Sequence, residues 1–157
     1  MAGLIKKYWT PFVVFILALG GFWTWFSAAD VGSGSSSLAS APQEGLYAPD
    51  FQLETLSGDI ITLSELRGSP LLVNFWASWC PPCRSEMPAM ENAYQTYSEE
   101  GFRILAVNMT SQDLLNDATS FVQENELTFS ILLDHDGVAA DRYLVQSLPT
   151  SFFIDRE

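Results

Sequence analysis

The sequence predicts an α/β domain whose sheet has a parallel component, carried behind one membrane-spanning segment. Three observations lead there. Residues 8–29 hold no charged side chain. Beyond them, short apolar runs of strand length alternate with stretches of helical periodicity. Between one such run and the next helix stands the chain's single cysteine pair, Cys80 and Cys83. The 157 residues allow one modest domain besides the apolar segment, which excludes a large multidomain enzyme. Nineteen acidic against seven basic residues give a net charge of -12 with no Lys/Arg cluster, so nucleic-acid binding is excluded. Two cysteines make neither a multi-bridge scaffold nor, without further Cys or His beside them, a four-ligand zinc site.

Residues 1–29 read as a cytoplasmic N-terminus and a membrane anchor. At about 1.5 Å per residue, the uncharged stretch spans roughly 33 Å, close to the hydrocarbon thickness of a bilayer. Lys6 and Lys7 precede it and every acidic residue follows it, so the positive-inside rule places the N-terminus in the cytoplasm and the rest outside. Tyr8, Trp9, Trp23 and Trp25 suit interfacial anchoring, and Pro11 sits near the start, where it costs least. A cleaved signal peptide is the alternative, with Ala39-Ser40-Ala41 as a small-residue cleavage site. Residues 30–43 are small and polar and read as a flexible linker, leaving 44–157 as one extracytoplasmic domain without internal repeats.

Within that domain, Phe51 to Thr55 and Ile60 to Leu63 flank Ser57-Gly58-Asp59 and read as a β-hairpin. Ser64 to Arg67 suggests one helical turn. Leu71 to Ala77 is nearly continuously apolar, as expected of a central strand covered on both faces. From Cys83, Met87, Met90, Tyr94 and Tyr97 recur at helical spacing, to end by Gly101. Phe102 to Val107 is a second strand. Leu114, Leu115, Ala118, Phe121 and Val122 mark a second helix, and Ser130 to Leu133 and Ser151 to Ile154 two further strands.

The chemistry is concentrated in Trp79-Cys80-Pro81-Pro82-Cys83, where a buried strand ends and a helix begins. A thiol there faces unpaired amide donors and the positive end of the helix dipole, which favour thiolate and make Cys80 the expected exposed nucleophile. Cys83, one turn on, can close a disulfide with it and resolve a mixed disulfide formed on Cys80. A purely structural staple is the alternative. So small a loop, however, removes little unfolded-state entropy.

The segment VNFWASWCPPCRSEMPAM resembles the active-site segment of the membrane-anchored thioredoxin-like proteins of the TlpA/ResA type. APDFQLETLSGDIITLSELRG resembles the added N-terminal hairpin of that branch, shared with peroxiredoxins, and SLPTSFFID the strand entry that carries the family's cis-proline. The resemblance runs from about Pro49 to Asp155. It implies a thioredoxin-like fold with that hairpin, and a reductant of protein disulfides outside the cytoplasm, with a potential nearer thioredoxin at about -270 mV than DsbA at about -120 mV. It implies no cofactor beyond the redox-active Cys80-Cys83 disulfide. Pro149 matches the cis-proline and Leu148 the residue whose backbone pairs with substrate. With Trp79, Pro81 and Pro82 around the cysteines, these are the expected substrate-binding residues. Pro88 matches the kink proline of the active-site helix, where it cannot donate to the carbonyl of Arg84. A CcdA- or DsbD-like membrane protein is the implied electron donor, and apocytochrome c or another exported disulfide protein the implied client.

Glu86, three residues beyond Cys83 and on the same helix face, has two readings: a catalytic carboxylate that exchanges a proton with the buried thiol, which the resemblance favours, or an acid complementing the helix dipole. Trp76 and Trp79 read as packing and site-covering aromatics, and Asn74 as a buried amide hydrogen-bonded to backbone. A different function class would be copper handling through Cys80, Cys83 and His135, with Met87 or Met90, although the known copper-chaperone relatives space their cysteines one residue wider. His135 alone, in Leu133-Asp134-His135-Asp136-Gly137, reads as a loop residue. Thiol peroxidase is a third class. It lacks its Pro-x-x-x-Thr-x-x-Cys pattern, since Ala77 stands three before Cys80. Thioredoxin-like sheets normally add a strand and a helix after the cis-proline strand, so a truncated fragment with an open sheet edge is expected.

Overall fold

Apolar side chains throughout Leu71–Trp76, interrupted only by Asn74, make β3, and all six residues are buried. Such a strand needs cover on both faces. A computed structural model describes residues 39–156 and supplies that cover. The anchor, 1–29, and the linker up to residue 38 lie outside the described residues. Among the described residues, no helix is long and apolar enough to cross a membrane.

The remaining elements are β1 (Gln52–Thr55), β2 (Ile60–Thr62), a 3-10 turn (Leu63–Leu66), α1 (Pro81–Tyr97), β4 (Arg103–Asn108), α2 (Leu115–Glu124), β5 (Ser130–Leu133), α3 (Val138–Arg142) and β6 (Thr150–Ile154). The sheet order is β2-β1-β5-β4-β3-β6. β4 lies parallel to both β3 and β5, giving the expected parallel component, while β6 runs antiparallel to β3 and β1 antiparallel to β2 and β5. The architecture is a thioredoxin-like α/β fold. Two features go beyond the sequence reading: β1 docks on β5, 75 or more residues away, and α3 forms after Gly137, whose positive φ of 76° turns the chain into it.

Alternation along β3 divides the core. Leu71, Val73 and Phe75 join Phe51, Leu63, Ala139, Ala140 and Tyr143 on one face. Leu72 and Trp76 join Met87 and Met90 of α1 and Ala118 and Phe121 of α2 on the other. Asn74 shares the register of Leu72 and Trp76, so its side chain falls under α1.

Some expectations need correction. Leu114 and Leu115 are 69% and 41% exposed. Leu114 has extended backbone and precedes the first helical residue, so α2 lies against the sheet only from Ala118 onward. Residues 39–43, assigned to the linker, are held in a loop in which Ala41 N–H donates to Tyr47 O and Tyr47 N–H to Ala39 O. In line with the open sheet edge expected, β6 is an edge strand among the described residues, with Phe153 81% exposed.

Candidate functional site

β3 delivers the chain to the cysteines, and the next turn is held by a carboxylate. Asp113, just before α2, accepts from the Ser78 N–H and hydroxyl at 2.6 Å each, from Asn108 Nδ2 at 2.8 Å and from Leu114 N–H at 2.9 Å. Trp79 Nε1 donates to the carbonyl of neighbouring Gln112 at 2.9 Å. On the other side Arg84 lies over the Phe121 ring, 4.6 Å from its centroid, and donates to Ser78 O. Two strand ends, a helix start and a cation thus converge on Ser78-Trp79. The ring of Trp79 stays 57% exposed at the site's rim.

Cys80 is the N-cap of α1, with extended dihedrals; its carbonyl accepts from Arg84 N–H at 3.1 Å and its Sγ from Cys83 N–H at 3.3 Å. An ordinary helix start presents several orphan amides to its cap. Here the first two helical residues are Pro81 and Pro82, which have no N–H. The expectation that Cys80 faces a set of unpaired donors is therefore corrected: the amide aimed at its sulfur is that of Cys83. Cys80 and Cys83 form a disulfide, with Cα atoms 5.3 Å apart. In this disulfide Cys80 is 2% exposed and Cys83 fully buried; the expected exposure of Cys80 concerns the reduced thiolate. The exposed residues flanking Cys80 in the chain are Trp79, Pro81 and Pro82.

The Leu148–Pro149 peptide bond is cis. Register places Thr150 opposite Phe75 and Ser151 opposite Asn74, so Pro149 lies level with the end of β3 that leads to the cysteines. Leu148 is half-buried and packs against both core clusters. Among the described residues its backbone groups enter no hydrogen bond.

Within β3, Asn74 is fully buried, and its partners are side chains, not the backbone groups expected. Nδ2 donates to Glu86 Oε1 at 2.7 Å and to Ser151 Oγ at 2.9 Å, while Oδ1 has no partner among the described residues. Glu86 is half-buried on α1, one turn past Cys83. Pro88 lies inside α1 as expected. Trp76 is buried against Phe121, with ring centroids 5.6 Å apart. His135 is exposed, and among the described residues no three His, Cys, Asp or Glu side chains converge on a point, so the copper reading loses its third ligand.

Sequence reasoning missed Asp113, Asn108 and Ser151. An Asp directly before an apolar helical run is a recognisable helix-start signal. Its main use here, across to Ser78, depends on tertiary contact.

Residues 45–157 match the AhpC/TSA family. The chain is 45% identical over 116 residues to the thioredoxin-like protein YneN of Bacillus subtilis, covering 73% of this chain and 67% of that one. It is 37% identical over 145 residues to the thiol-disulfide oxidoreductase ResA of the same organism, covering 92% and 75%. It spans 58% to 75% of the length of such curated relatives. A solved structure of a putative thiol:disulfide interchange protein DsbE from Chlorobium tepidum superposes with a TM-score of 0.64 at 38% identity, covering 69% of this chain and 75% of that one.

Proposed function

This chain belongs to the AhpC/TSA family, and from that premise we propose that it is a thiol-disulfide oxidoreductase that reduces disulfides of exported proteins. The observation that carries the reading is the Cys80–Cys83 disulfide at the start of α1, reached from the end of β3 beside which the strand entry with cis-Pro149 lies. In the reduced protein, the Cys80 thiolate attacks a substrate disulfide; a Cys80–substrate bond forms and the substrate's other sulfur leaves as thiolate. Cys83 then gives up its proton to the Glu86 carboxylate, and its sulfur attacks Cys80. The mixed disulfide breaks, Cys80–Cys83 closes, and the second substrate sulfur leaves with the electron pair. Two electrons pass from the dithiol to the substrate. No cofactor is required.

Leu148 offers backbone for an extended substrate, and Trp79, Pro81 and Pro82 form the exposed rim it meets. The Lys pair before residues 8–29 and the acidic remainder support a single-pass anchor in a bacterial cell membrane, with the catalytic domain outside. A CcdA- or DsbD-like membrane protein is the proposed electron donor, and apocytochrome c thiols a proposed client. An acidic domain favours clients with basic surfaces.

Equilibration of the full chain with glutathione or dithiothreitol buffers tests the direction of transfer. A potential near about -270 mV supports a reductant, whereas one near about -120 mV makes the protein an oxidant. External protease on spheroplasts should digest the domain and spare the N-terminus; a fully protected domain would overturn the topology.

A further inference from the structure

The buried amide of Asn74 is used by none of the steps above, yet it touches the one carboxylate they employ. β3 is otherwise apolar, so burying an amide in it costs free energy unless its polar atoms are bonded. Both bonds it makes come from the same nitrogen. One N–H goes to Glu86 Oε1 on α1 at 2.7 Å, the other to Ser151 Oγ on β6 at 2.9 Å. A carboxylate only accepts, so the amide must turn its NH2 towards Glu86, and this leaves Oδ1 buried and unpartnered among the described residues. An amide kept merely to tie the sheet together would gain from satisfying Oδ1. This one gives its donors priority.

We propose that Asn74 positions Glu86: it pins Oε1 with one N–H and braces itself with the other on Ser151, two residues past cis-Pro149. The inference rests on the reading of Glu86 as the group that takes the Cys83 proton. Helix geometry puts Glu86 and Cys83 on the same face, with Cβ atoms about 5–6 Å apart. A free glutamate at a half-buried helix position has several rotamers, and only some turn the carboxylate back to the thiol. The bond to Oε1 selects among them. It leaves Oε2, which receives no hydrogen bond among the described residues, as the oxygen available to the proton. No charged group hydrogen-bonds to Glu86 among the described residues; the side chain that bonds it is Asn74 from the sheet, and Cys83 precedes it by one turn on the same helix face. Asn74 also connects the proton acceptor to the strand that follows the substrate-binding turn, through its cross-strand position opposite Ser151.

The test uses the full chain, loaded on Cys80 with a small aromatic thiol as mixed disulfide. The rate at which Cys83 expels that thiol is followed between about pH 3.5 and about pH 9.5, a range that spans the ordinary titration of both carboxyl and thiol groups. Glu86→Gln should slow expulsion and flatten its pH dependence. Asn74→Ala and Ser151→Ala should slow it along the same limb of the profile, Asn74→Ala by about tenfold and Ser151→Ala by less. The double variant Asn74→Ala/Glu86→Gln should be no slower than Glu86→Gln alone, because a positioning residue has nothing left to position. Should Asn74→Ala fail to fold, Asn74→Asp keeps the shape and sets a second carboxylate against the first. The pair then shares a proton, and the limb should move to higher pH. Ser151 is exposed and its truncation removes only the brace.

Folded Asn74 and Ser151 variants with lower thermal stability but an unchanged profile would reduce Asn74 to a structural role and overturn the proposal while leaving Glu86 intact. So would additive losses in the double variant. A profile unchanged in Glu86→Gln would overturn the underlying reading of Glu86 and the proposal with it.

Discussion

Restoring one amide to the start of α1 should shift the chemistry of Cys80 by a calculable amount. The cap side chain of a helix is reached by the N–H of the second or third helical residue. In this chain the second is Pro82 and the third Cys83, so Cys80 Sγ has one amide where two could serve. Pro82→Ala supplies the missing donor at an exposed position where packing changes little. A hydrogen bond to a charged acceptor contributes about 1.5–3 kcal/mol. Sulfur is a long-range, diffuse acceptor, so the lower figure applies, which corresponds to about one pKa unit. Stabilising the thiolate favours the reduced form and should raise the potential by about 30 mV. Pro81→Ala is the control: the first helical amide does not reach the cap side chain, and its shift should be much smaller. The pH dependence of Cys80 alkylation in the reduced protein measures the first quantity, and equilibration with a glutathione buffer the second. If Pro82→Ala moves neither, or if Pro81→Ala moves both as far, the amide count at the helix start does not set the reactivity of Cys80.

Two further substitutions probe what holds the site in place. Asp113→Ala strands the buried N–H and hydroxyl of Ser78 and the amide of Asn108 and should cost about 2–3 kcal/mol in urea unfolding, with slower disulfide exchange; a loss under about 0.5 kcal/mol would deny it the role of clasp. Burial alone would push the Glu91 carboxyl up, but hydrogen bonds from the Thr128 side chain, Gln95 and the Thr128 N–H outweigh it and hold it below the ordinary carboxylate value. A carboxyl depressed on folding stabilises the protein above its unfolded pKa of about 4.5 and loses that contribution as pH falls through the folded value. Glu91→Gln should therefore lower stability at neutral pH and weaken its fall in acid. An acid profile identical to that of the parent would contradict this.

Most of the fold was legible because its signals are local. The apolar run of β3, the stripe from Cys83 to Tyr97 and the turn at Gly58 each declare an element within one window. The docking of β1 on β5 was not legible, since pairing across 75 or more residues leaves no mark in either segment. The cysteine pair was legible as chemistry, but its burial was not, nor was the removal of helix-start donors by Pro81-Pro82 drawn out, although both prolines are plain in the sequence. Asn74 stood out as the one polar residue of a buried strand. Its partners did not, because Glu86 and Ser151 reach it from a different helix and a strand 77 positions on. Exposure of Leu114 and Leu115 was missed for a related reason: periodicity fixes a face, but not where along the helix that face meets the sheet.

Trapping on the two single-cysteine variants tests the central claim most directly. Cys83→Ser in cells should accumulate mixed disulfides between Cys80 and exported proteins, because the first attack proceeds and its resolution does not. Cys80→Ser should accumulate none. Adducts on Cys83 in the Cys80→Ser protein, with none on Cys80 in the Cys83→Ser protein, would reverse the roles of the two thiols and contradict the account.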